Sequence, residues 1–262
     1  MDELIILFLY HGGNLPVAVD HYHRLRTLHP RDLVVPIAFQ LASQVIPGTA
    51  DVAHDSHDYG WPLADAYAQA DKVFYRWFLN PRNPKARRYI FFEYDILPKC
   101  PAQEFYREVW DADVAASDVV DMIAEPDWWP SRWGPPIESD LLPYQTGLRP
   151  LAGAFWSHAA FERVASSRRM QGAWCEHRAG TLAKFFGFRP MRIPGAIRTI
   201  HWPPTVLRDF SGREWFHPVK TMQPRTQRIR PSMRGVTSIS PWSARTPPAP
   251  SDRQTISSPD GT

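Results

Sequence analysis

The apolar positions of the chain fall into short runs separated by glycine, proline and polar clusters. Leu4 to Leu9 is continuously apolar, and Leu4–Tyr10 predicts a first strand, which ends in the turn His11-Gly12-Gly13-Asn14. A helix follows, with Asn14 as its cap and Pro16 in its first turn, running to about Leu28. Leu33-Val34-Val35-Pro36-Ile37 predicts a second strand, so the opening is a strand–turn–helix–strand unit. Between Leu63 and Leu79, the positions Leu63, Ala66, Tyr67, Ala70, Val73, Phe74, Trp77 and Phe78 recur near a 3.6-residue period, as on the buried stripe of a helix. In Tyr89 to Leu97, four large apolar or aromatic residues, Tyr89 to Phe92, run straight into two carboxylates, and such a run is of the kind buried on both faces of a parallel sheet.

Further along, Gln103–Trp110 predicts a short helix and Asp113–Val120 another strand. Leu151 to Trp156 passes from small to bulky residues and leads into a helix that starts at Ser157-His158 and includes Phe161, Val164 and Ala165. A second late helix runs from Trp174 to Phe186, with Gly187 as its stop. Arg192-Ile193 and Ile197–Ile200 read as short late strands. The fold class expected is α/β, a mainly parallel sheet flanked by helices. One domain is expected over 1–221, divided into halves at 1–97 and 98–221, with a disordered basic tail over 222–262.

Composition narrows this. The chain has 262 residues, of which 44% are hydrophobic, enough for one sizeable core. Two cysteines, Cys100 and Cys175, with no Cys-x-x-Cys, argue against a disulfide framework or a zinc knuckle and for a reducing, cytoplasmic setting. The acidic start Met1-Asp2-Glu3 and the short run behind it fit a strand better than a signal peptide or a membrane span. Six Arg and two Asp from Pro224 onward give the tail +4, so the body carries −1 of the net +3. The body therefore has no sign of a nucleic-acid binder, while the tail has the charge for a weak contact with a membrane surface.

Four stretches carry candidate chemistry. Glu93 and Asp95 are spaced i and i+2 at the end of a buried strand, so their side chains are expected on one side and Tyr94 on the other. Ligands bind at the carboxyl edge of such sheets, and paired carboxylates there suit Mg²⁺ or Mn²⁺ with a phosphate. The Gly12-Gly13 turn lets a ligand approach the backbone, but matches neither the P-loop nor the dinucleotide fingerprint. His54-Asp55-Ser56-His57-Asp58 offers four ligand types for a metallohydrolase, or is an exposed polar loop. Trp128, Trp129 and Trp133, among prolines that exclude a central strand, offer a stacking wall for a sugar, as in a carbohydrate-binding protein, or pin their loop to the body. Lys72 and Arg76 lie off the helical stripe and are within reach of a ligand or simply solvated.

In its order of elements and short motifs, the stretch from Leu4 to Lys220 resembles the GT-A class of nucleotide-sugar glycosyltransferases. Glu93-Tyr94-Asp95 stands where that class has Asp-x-Asp, with Glu in the first position. The resemblance implies a GT-A-like fold in which Glu93, Asp95 and a late histidine, His217, hold Mn²⁺ or Mg²⁺. It implies that Tyr10, His11, Gly12, Gly13 and Lys220 meet the donor. Gly153, Ala154 and Trp156 would lie toward the acceptor, with Gly153-Ala154-Phe155 as the segment between the two substrates, and Glu176 would be the catalytic base of an inverting reaction. The implied activity is transfer from a nucleotide diphosphate donor, a UDP-sugar, to a glycan or lipid-linked acceptor, as in polysaccharide biosynthesis.

Overall fold

Strand β1 (Asp2–Tyr10) is sandwiched between β2 (Leu33–Ala38) and β3 (Ala86–Glu93), parallel to both, in this computed structural model. The residues described are 2–11, 14–38, 45–50, 52, 69–128, 136–194, 215 and 217–219, all within a compact unit spanning 1–227. The His54–Asp58 loop, Trp129 and Trp133, the Ile197–Ile200 run and the 222–262 tail lie outside them.

Alternation along β1 divides the core. Ile5, Leu7 and Leu9 enter one apolar cluster, while Leu4, Ile6, Phe8 and Tyr10 enter the other. Strand β3 repeats this, Tyr89 and Phe91 facing the first cluster and Ile90 and Phe92 the second. Both strands are thus covered on each face, which explains why they read as unbroken apolar runs. β2 lies at the sheet edge, where Pro36 costs no ladder donor and its carbonyl accepts the Ala50 N–H at 2.8 Å.

Helix α1 (Leu15–Leu28) covers the second face. Asn14 precedes it without a side-chain cap bond; its Nδ2 donates instead to Tyr94 Oη at 3.1 Å. The first face carries α2 (Ala70–Leu79), α4 (His158–Ala165) and α5 (Cys175–Phe185); the described part of the helix expected from Leu63 begins at Ala70. Their contact with the sheet is aromatic: Phe74 and Trp156 both stack on Phe91, at 4.3 and 5.3 Å between centroids. Ser157 caps α4 by accepting the Ala160 N–H, and Gly187, at φ 89°, follows the end of α5 as expected for a helix stop.

Two expectations change. The predicted Gln103–Trp110 helix is a four-residue α3 (Ala102–Phe105) followed by a 3-10 turn over Arg107–Val109. The predicted Asp113–Val120 strand is two strands in different sheets, β4 (Val114–Ala116) and β5 (Asp118–Asp121). Ser117 forms the break, its hydroxyl donating to Arg149 O at 2.7 Å. β5 pairs antiparallel with β6 (Thr146–Arg149) in a two-stranded sheet. The main sheet is completed by β7 (Ala154–Ser157) and β8 (Pro190–Arg192), in the order β2-β1-β3-β7-β4-β8. Only β7 runs against the other five, so the sheet is mixed α/β and mainly parallel. Against β6, α5 packs closely at Gly180, where a Cβ would lie 2.4 Å from Thr146 O.

Candidate active site

The ends of the parallel strands converge with the start of the reversed one. Glu93 closes β3, and Gly153, just before β7, donates its N–H to Phe91 O at 2.7 Å. Beyond Glu93 the chain turns, with Tyr94 N–H donating to Leu9 O (2.8 Å) and Ile96 N–H to Glu93 O (3.0 Å). Glu93 and Asp95 therefore reach the same place through a turn, not through continued strand alternation. Tyr94 goes to the other face, among the second apolar cluster.

The late segment comes to this rim because Trp215 is anchored behind it. Its ring is fully buried, stacks on Phe105 at 4.6 Å, and its Nε1–H donates to Cys100 O at 2.9 Å. Val219 N–H then donates to Asp95 O at 2.7 Å. His217, between these two anchors, has Nε2 3.3 Å from Asp95 Oδ1, and both side chains are buried. One ligand atom each of Glu93, Asp95 and His217 lie within 4.8 Å of one another. Two carboxylates and an imidazole form a donor set that suits Mn²⁺ or Mg²⁺, with positions left for phosphate oxygens or water. The side chains present thus fit a divalent cation.

Glu176, in the first turn of α5, adjoins this group. Leu151 N–H donates to its Oε1 at 3.3 Å. Burial, then the negative charge of Glu93, push its pKa up to about 8, against the opposing pull of the Leu151 amide, His217 and Arg149. Behind α5, Arg178 and Asp71 form a fully buried pair: Nε donates to Oδ2 at 2.8 Å and Nη2 to Oδ1. Arg178 Nη1 also donates to Ala173 O at 2.6 Å, so the guanidinium stays charged although buried. Lys72 is buried beside this pair. Burial and the Arg178 charge bring its pKa down to about 8, and its Nζ donates to Gln69 Oε1 at 2.9 Å.

On the α1 side, His21 is fully buried and its Nδ1–H donates to Tyr94 O at 2.7 Å, supporting the peptide that precedes Asp95. Tyr10 is buried, its hydroxyl 2.7 Å from Thr49 Oγ1 and accepting Ile46 N–H at 3.1 Å. His11 is exposed with its ring edge-on to Tyr94 at 4.6 Å, while Gly12, Gly13 and Lys220 lie outside the described residues. Gly153, at φ 79°, accepts Tyr106 Oη–H on its carbonyl at 2.7 Å, and Ala154 is buried beside it. Trp156 is fully buried on Phe91; its ring is core packing and offers no face to a ligand.

The sequence reading missed Asp71, Arg178, His21 and Arg149. No local pattern marks them: Arg178 follows Glu176-His177 and His21 lies between Asp20 and Tyr22 in polar helix segments, so their burial is a property of packing.

No protein-family model and no curated protein sequence matches the chain. Among solved structures it is similar to the galactosyltransferase LgtC in complex with donor and acceptor sugar analogs, with a TM-score of 0.40 and 9% identity over 69% of this chain and 70% of that one. An active-site mutant of LgtC gives 0.41 and 9% over 72% and 71%. At that level of likeness no residue's role passes from one chain to the other. No described helix is long and apolar enough to cross a membrane.

Proposed function

We propose that this protein is a metal-dependent glycosyltransferase of GT-A type, moving a sugar from a nucleotide diphosphate donor, a UDP-sugar, to a glycan or lipid-linked acceptor. The observation that carries the reading is the convergence of Glu93, Asp95 and His217 at the carboxyl edge of a mainly parallel sheet, where α/β proteins bind ligands. These three side chains would hold Mn²⁺ or Mg²⁺, and the bound ion supplies charge stabilisation for a departing nucleoside diphosphate.

Glu176 is the base assigned to the acceptor hydroxyl. It is partly buried beside Glu93, and its raised pKa keeps the proton on at neutral pH while Glu93 is charged. Neutralising Glu93 removes one cause of that rise and returns Glu176 toward the ionised form that a base needs. Leu151 N–H holds Oε1 of this carboxylate, and the other oxygen is the one assigned to the acceptor hydroxyl. His11, exposed after β1, is assigned to the donor side, together with Gly12, Gly13 and Lys220.

The test is release of UDP or GDP from a panel of sugar nucleotides, with and without Mn²⁺. The reading expects release from at least one UDP-sugar with Mn²⁺ and none with EDTA. Equal release in EDTA, or none from any donor, contradicts it. Glu176→Gln should slow turnover while donor binding survives; unchanged turnover removes Glu176 as the base.

A further inference from the structure

The two sheets meet at a cluster of charge that the proposed transfer does not use. In the β5–β6 register Asp118 lies opposite Arg149, and in the β4–β8 register Arg192 lies opposite Ala116, two residues before Asp118. Ile193 N–H donates to Ala116 O at 2.8 Å and locks that register. The backbone thus delivers two guanidiniums to one carboxylate. Arg149 Nε donates to Asp118 Oδ2 at 3.0 Å with Nη2 on the same oxygen, and Arg192 Nη2 meets Oδ1. Asp118 is buried, whereas the Arg149 and Arg192 side chains are 39% and 57% exposed.

One buried negative charge therefore orients two positive groups that open to solvent. The exposed Glu125, 3.8 Å from Arg149 Nη1, is the only further acid paired with them among the described residues. The chain from Arg149 leads in two residues to Leu151, whose amide binds Glu176, and the Arg149 charge acts on Glu176 itself. Through Arg149 the cluster is thus linked to Glu176, while Arg192 is tied to Arg149 by their shared Asp118.

We infer that Arg149 and Arg192, held by Asp118, form an anion subsite that takes a phosphate or carboxylate carried by the acceptor. A guanidinium with a free edge binds either oxyanion through paired N–H donors, and Asp118 keeps both planes in place beforehand. The assignment rests on the transferase reading for its link to an acceptor, but anion binding stands by itself. The other source of the same chemistry is the donor's diphosphate, and a third reading makes the cluster only a staple between the two sheets.

Inorganic phosphate is the probe, titrated calorimetrically into the full-length protein in EDTA, alongside UDP titrated with Mn²⁺. Arg192→Ala leaves Asp118 paired with Arg149, so the fold keeps its buried counter-charge. The subsite expects phosphate binding in the wild type, weakened about tenfold in Arg192→Ala, as for one lost charge-assisted fork. It expects only partial recovery in Arg192→Lys and no change in Asp95→Ala. UDP affinity with Mn²⁺ should be the same in Arg192→Ala as in the wild type. Absent phosphate binding, or binding unchanged by Arg192→Ala, leaves the staple and overturns the subsite. A parallel loss of UDP affinity assigns the pair to the donor and overturns the acceptor role. Failure of the wild type to bind UDP with Mn²⁺ would instead sink the transferase reading, and the phosphate arm would still report on the anion site.

Discussion

Lowering the pH should destabilise this protein through His177 before the general titration of its carboxylates. His177 is 1% exposed in the first turn of α5, and neither ring nitrogen has a hydrogen-bond partner among the described residues. Burial, then the adjacent Arg178 charge, bring its pKa from 6.5 to about 4. The unfolded chain takes up a proton as pH falls below 6.5, while the fold does not until about 4. Stability is therefore whole above 6.5, declines through that window, and levels off below it. The interval corresponds to roughly 3 kcal/mol, a large part of the 5–15 kcal/mol typical of a domain. The wild-type curve alone does not isolate this contribution. Glu176, with its pKa raised from 4.5 to about 8, acts in the opposite sense, and its contribution falls as pH rises across that range. Urea unfolding of metal-free wild type and His177→Leu at several values between pH 7.5 and 4 separates the two. The difference between the proteins should shift by roughly 3 kcal/mol in favour of the variant as pH falls. Parallel curves would refute the reasoning.

Other substitutions follow from the same contacts. Glu176→Gln should make the metal-free protein more stable than wild type at pH 8, because it removes a carboxylate that burial and Glu93 disfavour when charged; urea unfolding at pH 5 and 8 checks that the gain grows with pH. Arg178→Met leaves Asp71 buried without its guanidinium and should cost about 3–5 kcal/mol by the same measurement. Gly180→Ala forces a Cβ toward Thr146 O and should cost about 1–3 kcal/mol, read as a lower Tm. Trp215→Ala removes the anchor behind His217; Mn²⁺ affinity should fall even though Trp215 offers no ligand atom.

The opening unit was legible because β1 and β2 are short continuous apolar runs and Gly, Asn and Pro mark the turn and helix start between them. Tyr89 to Phe92 was legible because burial on both faces leaves a continuous apolar run. Strand β7 was not, since Ala154–Ser157 is four residues long and reads equally well as the approach to α4. The apolar stretch around Ser117 reads as one strand because nothing local marks where the chain changes sheet. Only the distant Arg149, which receives the Ser117 hydroxyl on its carbonyl and pairs with Asp118, explains that break. The candidate site divides the same way. Glu93 and Asp95 announce themselves by two acids after an aromatic run. His217 entered through a family resemblance alone, because its proximity to Asp95 depends on where Trp215 packs. Arg149, Asp118 and Arg192 come from three strands, and their meeting is a property of register that no local pattern encodes.

The central claim is that Glu93, Asp95 and His217 share one divalent ion. Titration of Mn²⁺ by calorimetry into the full-length protein in the presence of UDP tests it most directly, with Asp95→Ala and His217→Ala beside the wild type. The account expects one ion bound by the wild type, none by Asp95→Ala, and clearly weaker binding by His217→Ala. Equal Mn²⁺ affinity in all three proteins, or none in the wild type, would contradict it.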